Sequence, residues 1–293
     1  MGPAPVLNGS EAEMTVSLTI TQKERLTELS ASEEILGMTF DDESGRNDFF
    51  RKTEMEHVRY NREKIKDLLN SQKAPESYRI ERDLTDWLIG QEGFTRVTTP
   101  TIISSKMLDQ MTITKENPLR EQVFWLDAKK CLRPMLAPNL YVVMRELQRI
   151  VNGPVKIFEA GSCFRKESQG ALHMNEFTML NFVELGSVEE GGQMKRLESM
   201  AVAAMKIAGI EGYELVREDS TVYGETLDIV VDGIEIASGS YGPHKLDANW
   251  GIFDTWVGLG IGIERIALVK GGYRTIKRVG RSIAFVDGAP LNI

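Results

Sequence analysis

The sequence is poor in the features that mark membrane, secreted and metal-binding proteins. No apolar run approaches the roughly 20 residues that cross a bilayer, so we expect no membrane partner. The amino terminus has no basic stretch followed by an apolar segment, which predicts no secretory signal and a cytoplasmic location. The two cysteines, Cys131 and Cys163, stand in neither a Cys-x-x-Cys nor a Cys/His metal spacing, and we expect reduced, buried thiols.

Positive charge is also scarce overall. The 293 residues include 35 Lys and Arg against 43 Asp and Glu, a net charge of −8, which argues against indiscriminate nucleic-acid binding. The distribution is uneven, because residues 265–293 hold six basic side chains and one acidic one. That basic carboxy-terminal segment fits a solvated surface and a phosphate-backbone contact about equally well.

Hydrophobic patterning divides the chain into three parts. Residues 1–13 lack any period and are interpreted as a disordered leader or a remnant of cloning. Residues 14–75 are polar and helix-prone, which predicts a small helical appendage. In residues 76–293, helices alternate with short strands, and a tight-turn signal at Asp232-Gly233 replaces regular βαβ alternation. We therefore predict an α+β fold, with an antiparallel sheet flanked by helices.

A first candidate site motif is Phe164-Arg165-Lys166-Glu167, followed by small residues and then by His173 to Phe177. A strand, a loop and a returning strand would place the Arg165 guanidinium above a sheet, where its donor fork suits a phosphate. Glu167 would hydrogen-bond an exocyclic amine, and Phe177 offers a ring on which a base can stack. Taken alone, the same residues also fit an exposed charged hairpin.

A second candidate site motif is Gly258-Leu-Gly260-Ile-Gly262-Ile-Glu264-Arg265. It differs from a dinucleotide-binding fingerprint, because its third glycine comes too early and no βαβ unit follows. Alternating glycines let a ligand lie against the sheet backbone. Arg265, in the first turn of a predicted helix, would face an anion together with the helix amino terminus.

These motifs, preceded by Gly93-Phe94 and Pro100, resemble motifs one, two and three of the class II aminoacyl-tRNA synthetases. Within that class, the segments Cys131–Tyr141 and Val222–Asp228 are similar to the pyrrolysyl-tRNA synthetases, over about residues 76–293. The resemblance implies the class II sheet and a ligase that activates pyrrolysine with ATP and Mg²⁺. It also implies transfer to a cognate pyrrolysine tRNA, and a homodimer formed through motif one.

The resemblance implies roles for residues on the ATP side of the site. Arg165 and Arg265 would be catalytic, the first at the α-phosphate and substrate carboxylate and the second at the γ-phosphate. Glu235 and Ser238 would hold magnesium. Strict strand alternation puts those two on opposite faces, so a shared metal role requires a β-bulge near Ala237. The other ATP contacts that the resemblance implies are Glu167, His173, Met174, Phe177 and Gly260.

The resemblance also implies an amino-acid pocket for pyrrolysine or an Nε-acylated lysine. Asn181 would hydrogen-bond the side-chain carbonyl of the substrate, and Tyr223 would lie on a mobile loop that closes over it. An amide inside an apolar strand is harder to explain as core than its neighbours are. The pocket would be completed by Ala137, Leu140, Tyr141, Met144, Val183, Ser238, Trp256 and Gly258.

Two features depart from the family pattern. Gly239-Ser240-Tyr241 stands where small or aliphatic residues are usual, and Tyr241 points either into the pocket or away from it. We expect a form without the separate amino-terminal tRNA-binding domain, so residues 14–75 and the basic carboxy-terminal segment become candidate tRNA contacts. The alternatives are a class II synthetase with an altered or phenylalanyl-like pocket, and a non-catalytic paralogue acting as a regulator. The presence of Arg165 and Arg265 argues against the regulator.

Overall fold

The structure, a computed structural model, describes residues 15–166, 170–220 and 222–293. The predicted leader at 1–13 and the candidate ATP contact Glu167 lie outside the described residues. Backbone contacts divide the chain into two units, Met1–Lys73 with Ala289–Ile293, and Ala74–Gly288. The sequence had placed residues 289–293 with the catalytic domain, whereas their contacts group them with the amino-terminal unit.

The amino-terminal unit is mainly helical, and its helices begin where side chains satisfy free backbone N–H groups. Thr19, Ser32 and Asp42 each accept a hydrogen bond from the backbone N–H of the first helical turn, as good N-caps do. No helix in the described part of the chain is both long and apolar enough to cross a membrane. The elements of this unit are β1 (Val16–Ser17), α1 (Ile20–Glu28), α2 (Glu33–Leu36), β2 (Thr39–Phe40), α3 (Glu43–Asn70) and β13 (Ala289–Pro290).

The second unit contains the remaining helices and strands. Short 3-10 turns lie at Pro118–Arg120, Lys245–Trp250 and Ile276–Arg278. The other elements are α4 (Glu76–Gly90), β3 (Thr95–Arg96), β4 (Ile102–Ser104), α5 (Ser105–Gln110), β5 (Lys130–Leu132), α6 (Ala137–Gln148), β6 (Val155–Phe164), β7 (Glu176–Leu185), α7 (Gln193–Ala208), β8 (Glu214–Ser220), β9 (Gly224–Val231), β10 (Ile234–Gly242), β11 (Trp256–Gly262), α8 (Ile263–Lys270) and β12 (Phe285–Val286).

A seven-stranded sheet organises the second unit, in the order β3-β6-β7-β11-β10-β9-β8. All neighbouring strands are antiparallel except β3, which pairs with β6 in parallel. The predicted antiparallel sheet flanked by helices is therefore confirmed. The tight turn between β9 and β10 is also confirmed, since Asp232 and Gly233 have φ of 49° and 76°, both positive as a type I′ turn requires.

Alternation of side chains gives the two faces of the sheet different roles. On one face, residues such as Phe182 and Leu259 pack with apolar side chains of α4, α7 and α8 in a large core. On the other face, Val183 and Trp256 belong to a second cluster, which includes residues of α6. Successive residues of one strand belong to different clusters. A one-residue shift of register would therefore turn the side chains of the large core to the opposite face of the sheet.

The two cysteines are buried and form no disulfide, as predicted. Burial raises the pKa of the Cys163 thiol to about 12 and that of the Cys131 thiol to about 11. Both thiols are therefore protonated at neutral pH and poorly reactive.

Candidate active site

A cavity of about 520 Å³ opens on the second unit, between the sheet and α6. Its lining comes from β7, β10 and β11, from α6 and from the segments around the ends of β6 and β8. Every predicted site residue that the structure describes lines this cavity: Ala137, Leu140, Tyr141, Met144, Arg165, His173, Met174, Phe177, Asn181, Val183, Tyr223, Glu235, Ser238, Trp256, Gly258, Gly260 and Arg265.

The register of three strands builds the cavity floor. Gly260 of β11 pairs with Asn181 of β7 on one side and with Ser238 of β10 on the other. A Cβ atom at position 260 would lie 2.9 Å from Asn181 Nδ2, and one at position 258 would lie 3.1 Å from the Phe182 carbonyl oxygen. Glycine at position 260 therefore leaves room for the Asn181 amide, and glycine at position 258 leaves room for the β7 backbone and the Trp256 ring.

Arg165 follows β6, and the Nε end of its guanidinium is fixed by a hydrogen bond. Its Nε donates to the Pro134 carbonyl oxygen at 2.9 Å, and its guanidinium carbon lies 5.3 Å from the centroid of the Phe177 ring. Within the described part of the chain, its two terminal amino groups donate to no protein atom. The donor pair of a fixed guanidinium thus faces the cavity, in the arrangement that a phosphate or carboxylate needs.

Arg265 lies in the first turn of α8, as the sequence predicted. Its Nη1 donates to the Glu235 carbonyl oxygen at 2.7 Å and lies 3.5 Å from Glu235 Oε1. The guanidinium and the amino terminus of an eight-residue helix are therefore at the same end of the cavity. Both favour negative charge there.

Glu235 and Ser238 share the cavity because of an irregularity in β10. The register of β10 against β9 shifts between Glu235 and Ala237, which is the bulge that a shared metal role requires. Ser238 Oγ donates to Asp228 Oδ1 at 2.6 Å. Across residues 15–166, 170–220 and 222–293, no group of three His, Cys, Asp or Glu side chains could hold a metal alone. These oxygen donors fit a Mg²⁺ ion that takes further ligands from phosphates.

Two carboxyl groups at this end of the cavity have raised pKa values. Partial burial raises the pKa of Glu235, Asp228 acts in the same direction, and the guanidinium groups of Arg265 and Arg165 oppose the shift. Burial also raises the pKa of Glu264, although both of its oxygens accept from the Thr178 N–H at 2.9 Å. The sequence had not assigned Glu264 or Asp228 to the site, although both fall within the quoted motifs.

At the other end of the cavity, a buried carboxylate orients two aromatic side chains. Asp247, 0% exposed, accepts from the Tyr141 hydroxyl at 2.7 Å, from Trp256 Nε1 at 2.8 Å and from the His244 N–H at 2.7 Å. Burial is the main cause that raises the pKa of the Tyr141 phenol, so this group remains a donor. The sequence showed no sign of this role, because Asp247 lies in a 3-10 turn remote from the motifs.

We expect Asp247→Ala to lower the free energy of unfolding by about 3 kcal/mol, because three buried donors lose their acceptor at about 1–3 kcal/mol each before relaxation. Urea denaturation measures the change. Asp254→Ala, at an exposed aspartate nearby, serves as the control and is expected to stay within about 0.5 kcal/mol of the wild type. Equal losses for the two variants would contradict the prediction.

Tyr241 points away from the cavity, which settles the alternative that the sequence left open. Its hydroxyl donates to Glu225 Oε2 at 2.6 Å, and its ring packs against the core on the helix-covered face. The neighbouring Ser240 lines the cavity instead. The tyrosine that departs from the family pattern therefore takes no part in the cavity lining.

The basic carboxy-terminal segment is less available than its composition indicates. Arg278 is buried and donates to the Gly288 carbonyl oxygen at 2.9 Å. Lys270 pairs with Glu76 at 2.8 Å, and Arg281 pairs with Glu176 at 3.2 Å. Several basic side chains of this segment are therefore already bound to other groups of the protein.

Comparisons with known proteins agree with this geometry. The family model described as tRNA synthetases class II core domain (F) matches residues 61–287. A crystal structure of pyrrolysyl-tRNA synthetase from Desulfitobacterium hafniense is 46% identical, with a TM-score of 0.89, covering 96% of this chain and 100% of the other. A structure of D. hafniense PylSc, a pyrrolysyl tRNA synthetase, is also 46% identical, with a TM-score of 0.87, covering 94% of this chain and 99% of the other.

A more distant relative among curated proteins is the O-phosphoserine–tRNA(Cys) ligase of Methanopyrus kandleri. The two sequences are 25% identical over 190 residues, which is 56% of this chain. The matched region spans 33% of that ligase, so the chain corresponds to about a third of its length.

Proposed function

Because this chain belongs to the pyrrolysyl-tRNA synthetases of the class II aminoacyl-tRNA synthetase family, we propose that it activates pyrrolysine, or another Nε-acylated lysine, with ATP. The substrate carboxylate attacks the α-phosphorus and pyrophosphate leaves. A hydroxyl oxygen of the cognate tRNA then attacks the acyl carbon of the adenylate, and AMP leaves. The observation that carries the proposal is one cavity with two arginines at one end and an amide in the apolar wall that continues from them.

The arginine end suits the phosphoryl chemistry of activation. Arg165 binds the α-phosphate and the substrate carboxylate, and its charge stabilises the negative charge that develops at phosphorus. Arg265 and the amino terminus of α8 hold the γ-phosphate. Glu235 and Ser238 would hold Mg²⁺, which supplies charge neutralisation of the phosphates when bound. Because Glu235 is desolvated, the added positive charge also favours its ionised form.

The apolar end suits a long, uncharged side chain. Leu140, Met144 and Val183 supply apolar surface, so the ammonium group of free lysine would lose its hydration there without a partner. Asn181 Oδ1 is buried and has no hydrogen-bond partner among the described residues. An amide group can donate to the carbonyl of an acylated lysine and accept from its N–H. The pocket therefore selects the acylated amino acid over lysine.

The proposal is tested by ATP–pyrophosphate exchange with pyrrolysine, an Nε-acylated lysine, lysine and phenylalanine. We expect exchange with the first two substrates alone, and Asn181→Ala should lower their kcat/KM by about 10- to 100-fold, since the substrate amide loses its partner. Tyr241→Phe, on the opposite face of the sheet, is the control and should keep its activity within twofold. Exchange with phenylalanine would favour a phenylalanyl-like enzyme, and no exchange at all would favour a regulator.

We further propose that the helical amino-terminal unit contributes to tRNA binding and that the enzyme works as a homodimer through the segment from Gly93 to Pro100. The tRNA contact should weaken as salt rises, because binding to phosphates releases condensed counterions. Filter binding of the cognate tRNA at several salt concentrations measures that slope.

A further inference from the structure

Residues paired across β7, β11 and β10 form rows on the cavity floor, and the row next to that of Asn181 contains a hydroxyl group without a hydrogen-bond partner. Ser240 of β10 pairs with Gly258 of β11, which pairs with Val183 of β7. Ser240 is 7% exposed and lines the cavity. Its Oγ is buried and has no hydrogen-bond partner among residues 15–166, 170–220 and 222–293. A buried hydroxyl without a partner costs free energy, which a ligand atom at hydrogen-bond distance would recover.

The strand register places this hydroxyl beyond Asn181 as seen from the phosphate end. Gly262 and Glu235 lie at the end of the floor where Arg265 stands. The row of Asn181 comes next, and the row of Ser240 lies two residues farther, roughly 7 Å along the strands. A side chain that runs from the α-phosphate past Asn181 therefore presents its acyl group to Ser240.

Two of the neighbouring polar groups have a partner of their own. The Tyr141 hydroxyl and Trp256 Nε1 both donate to Asp247, at 2.7 and 2.8 Å. Gly258 carries no side chain between Ser240 and Val183, and the ring of Trp256 from the same strand lies over it, 3.3 Å from where a Cβ atom would stand. Neither Ser240 Oγ nor the Tyr223 hydroxyl has a hydrogen-bond partner among the described residues, so both can serve a ligand in this mostly apolar wall.

We propose that Ser240 is a specificity residue that hydrogen-bonds a polar atom on the acyl group of the substrate, beyond the amide held by Asn181. The inference rests on the proposed function and narrows its substrate class. The enzyme prefers acyl-lysines whose acyl group carries an ether, imine or hydroxyl group over hydrocarbon acyl groups of the same shape.

The test uses two lysine derivatives that differ by one ring atom, Nε-(tetrahydrofuran-2-carbonyl)-lysine and Nε-(cyclopentanecarbonyl)-lysine. In ATP–pyrophosphate exchange, we expect the wild type to prefer the ether by about tenfold in kcat/KM, the size of one matched hydrogen bond in a buried site. Ser240→Ala removes the donor and is expected to use both derivatives equally, while its exchange with the cyclopentane derivative persists. Tyr241→Phe removes a hydroxyl from the adjacent residue on the opposite face and should keep the tenfold preference.

The outcomes separate this inference from the proposed function. Equal use of the two derivatives by the wild type overturns the role of Ser240, and so does a preference that survives in Ser240→Ala. Absence of exchange with pyrrolysine and with both derivatives overturns the proposed function. Calorimetric titration of the same derivatives then measures binding alone, and failure of both to bind overturns the inference as well.

Discussion

Replacing Arg165 by alanine is expected to reduce ATP–pyrophosphate exchange by about 10²- to 10³-fold, the usual cost of removing one preorganised donor from developing negative charge. The guanidinium is fixed through Nε and the Phe177 ring, and its free amino groups face the cavity. The loss should fall on kcat more than on the KM for ATP, because the charge at the α-phosphorus is largest in the transition state.

Two further variants separate the roles of charge and shape at this position. Arg165→Lys keeps the charge but lacks the planar fork, so its activity should lie between those of the wild type and Arg165→Ala. Arg217→Ala, at an exposed arginine of β8, should stay within twofold of the wild type. If Arg165→Ala kept more than a tenth of the exchange rate in a folded protein, Arg165 would not be a catalytic residue.

Replacing Glu159 by alanine is expected to lower the free energy of unfolding by about 3–5 kcal/mol, because it leaves a buried guanidinium without its counter-charge. Arg133 Nη1 lies 2.7 Å from Glu159 Oε1, and the two side chains are 3% and 2% exposed. Glu159 also accepts from the backbone and hydroxyl of Thr99, at 3.2 and 2.6 Å. Equilibrium urea denaturation measures the loss.

A double replacement tests whether the unpaired charge causes this loss. Arg133→Met combined with Glu159→Leu removes both charges and should be more stable than Glu159→Ala alone, since apolar residues replace buried ion pairs well. Glu146→Ala, which removes an exposed carboxylate, should cost far less than Glu159→Ala. Equal costs for the two variants would contradict the prediction.

This buried network connects the first family motif to α6, the helix that lines the cavity. Asn139 Nδ2, near the start of α6, donates to Thr99 Oγ1 at 2.6 Å and to the Pro100 carbonyl oxygen at 2.8 Å. The same helix carries Leu140 and Tyr141 in the cavity wall. Glu159→Ala is therefore also expected to weaken amino-acid binding, since the pocket helix loses part of its support.

Much of the site was predictable because its chemistry is local in the chain. The first turn of a helix after alternating glycines places Arg265 at an anion site, and the loop after a strand places Arg165 above the sheet. The requirement for a bulge near Ala237 also followed from two-residue alternation alone. The ATP, amino-acid and metal roles of these residues stay predictions until the variants are measured.

Other parts of the site depended on contacts between distant segments. Asp247 is more than a hundred residues from Tyr141, and no local pattern connects an aspartate in a 3-10 turn with a pocket helix. Alternation from Ser238 would have placed Ser240 on the cavity side, but the absence of a partner for its hydroxyl is visible only after packing. The same alternation turns Tyr241 to the opposite face, but its hydrogen-bond partner Glu225 was visible only in the folded structure.

The amino-acid sequence by itself determined the α+β class, the antiparallel sheet flanked by helices, and the local positions of Arg165 and Arg265, because periodicity and short motifs act over a few residues. The tertiary structure alone decided which carboxylates are buried, which basic residues of the carboxy-terminal segment are already paired, and which buried hydroxyl is left without a partner. Those outcomes depend on desolvation and on partners brought together by folding, and neither quantity is a property of a chain segment taken alone.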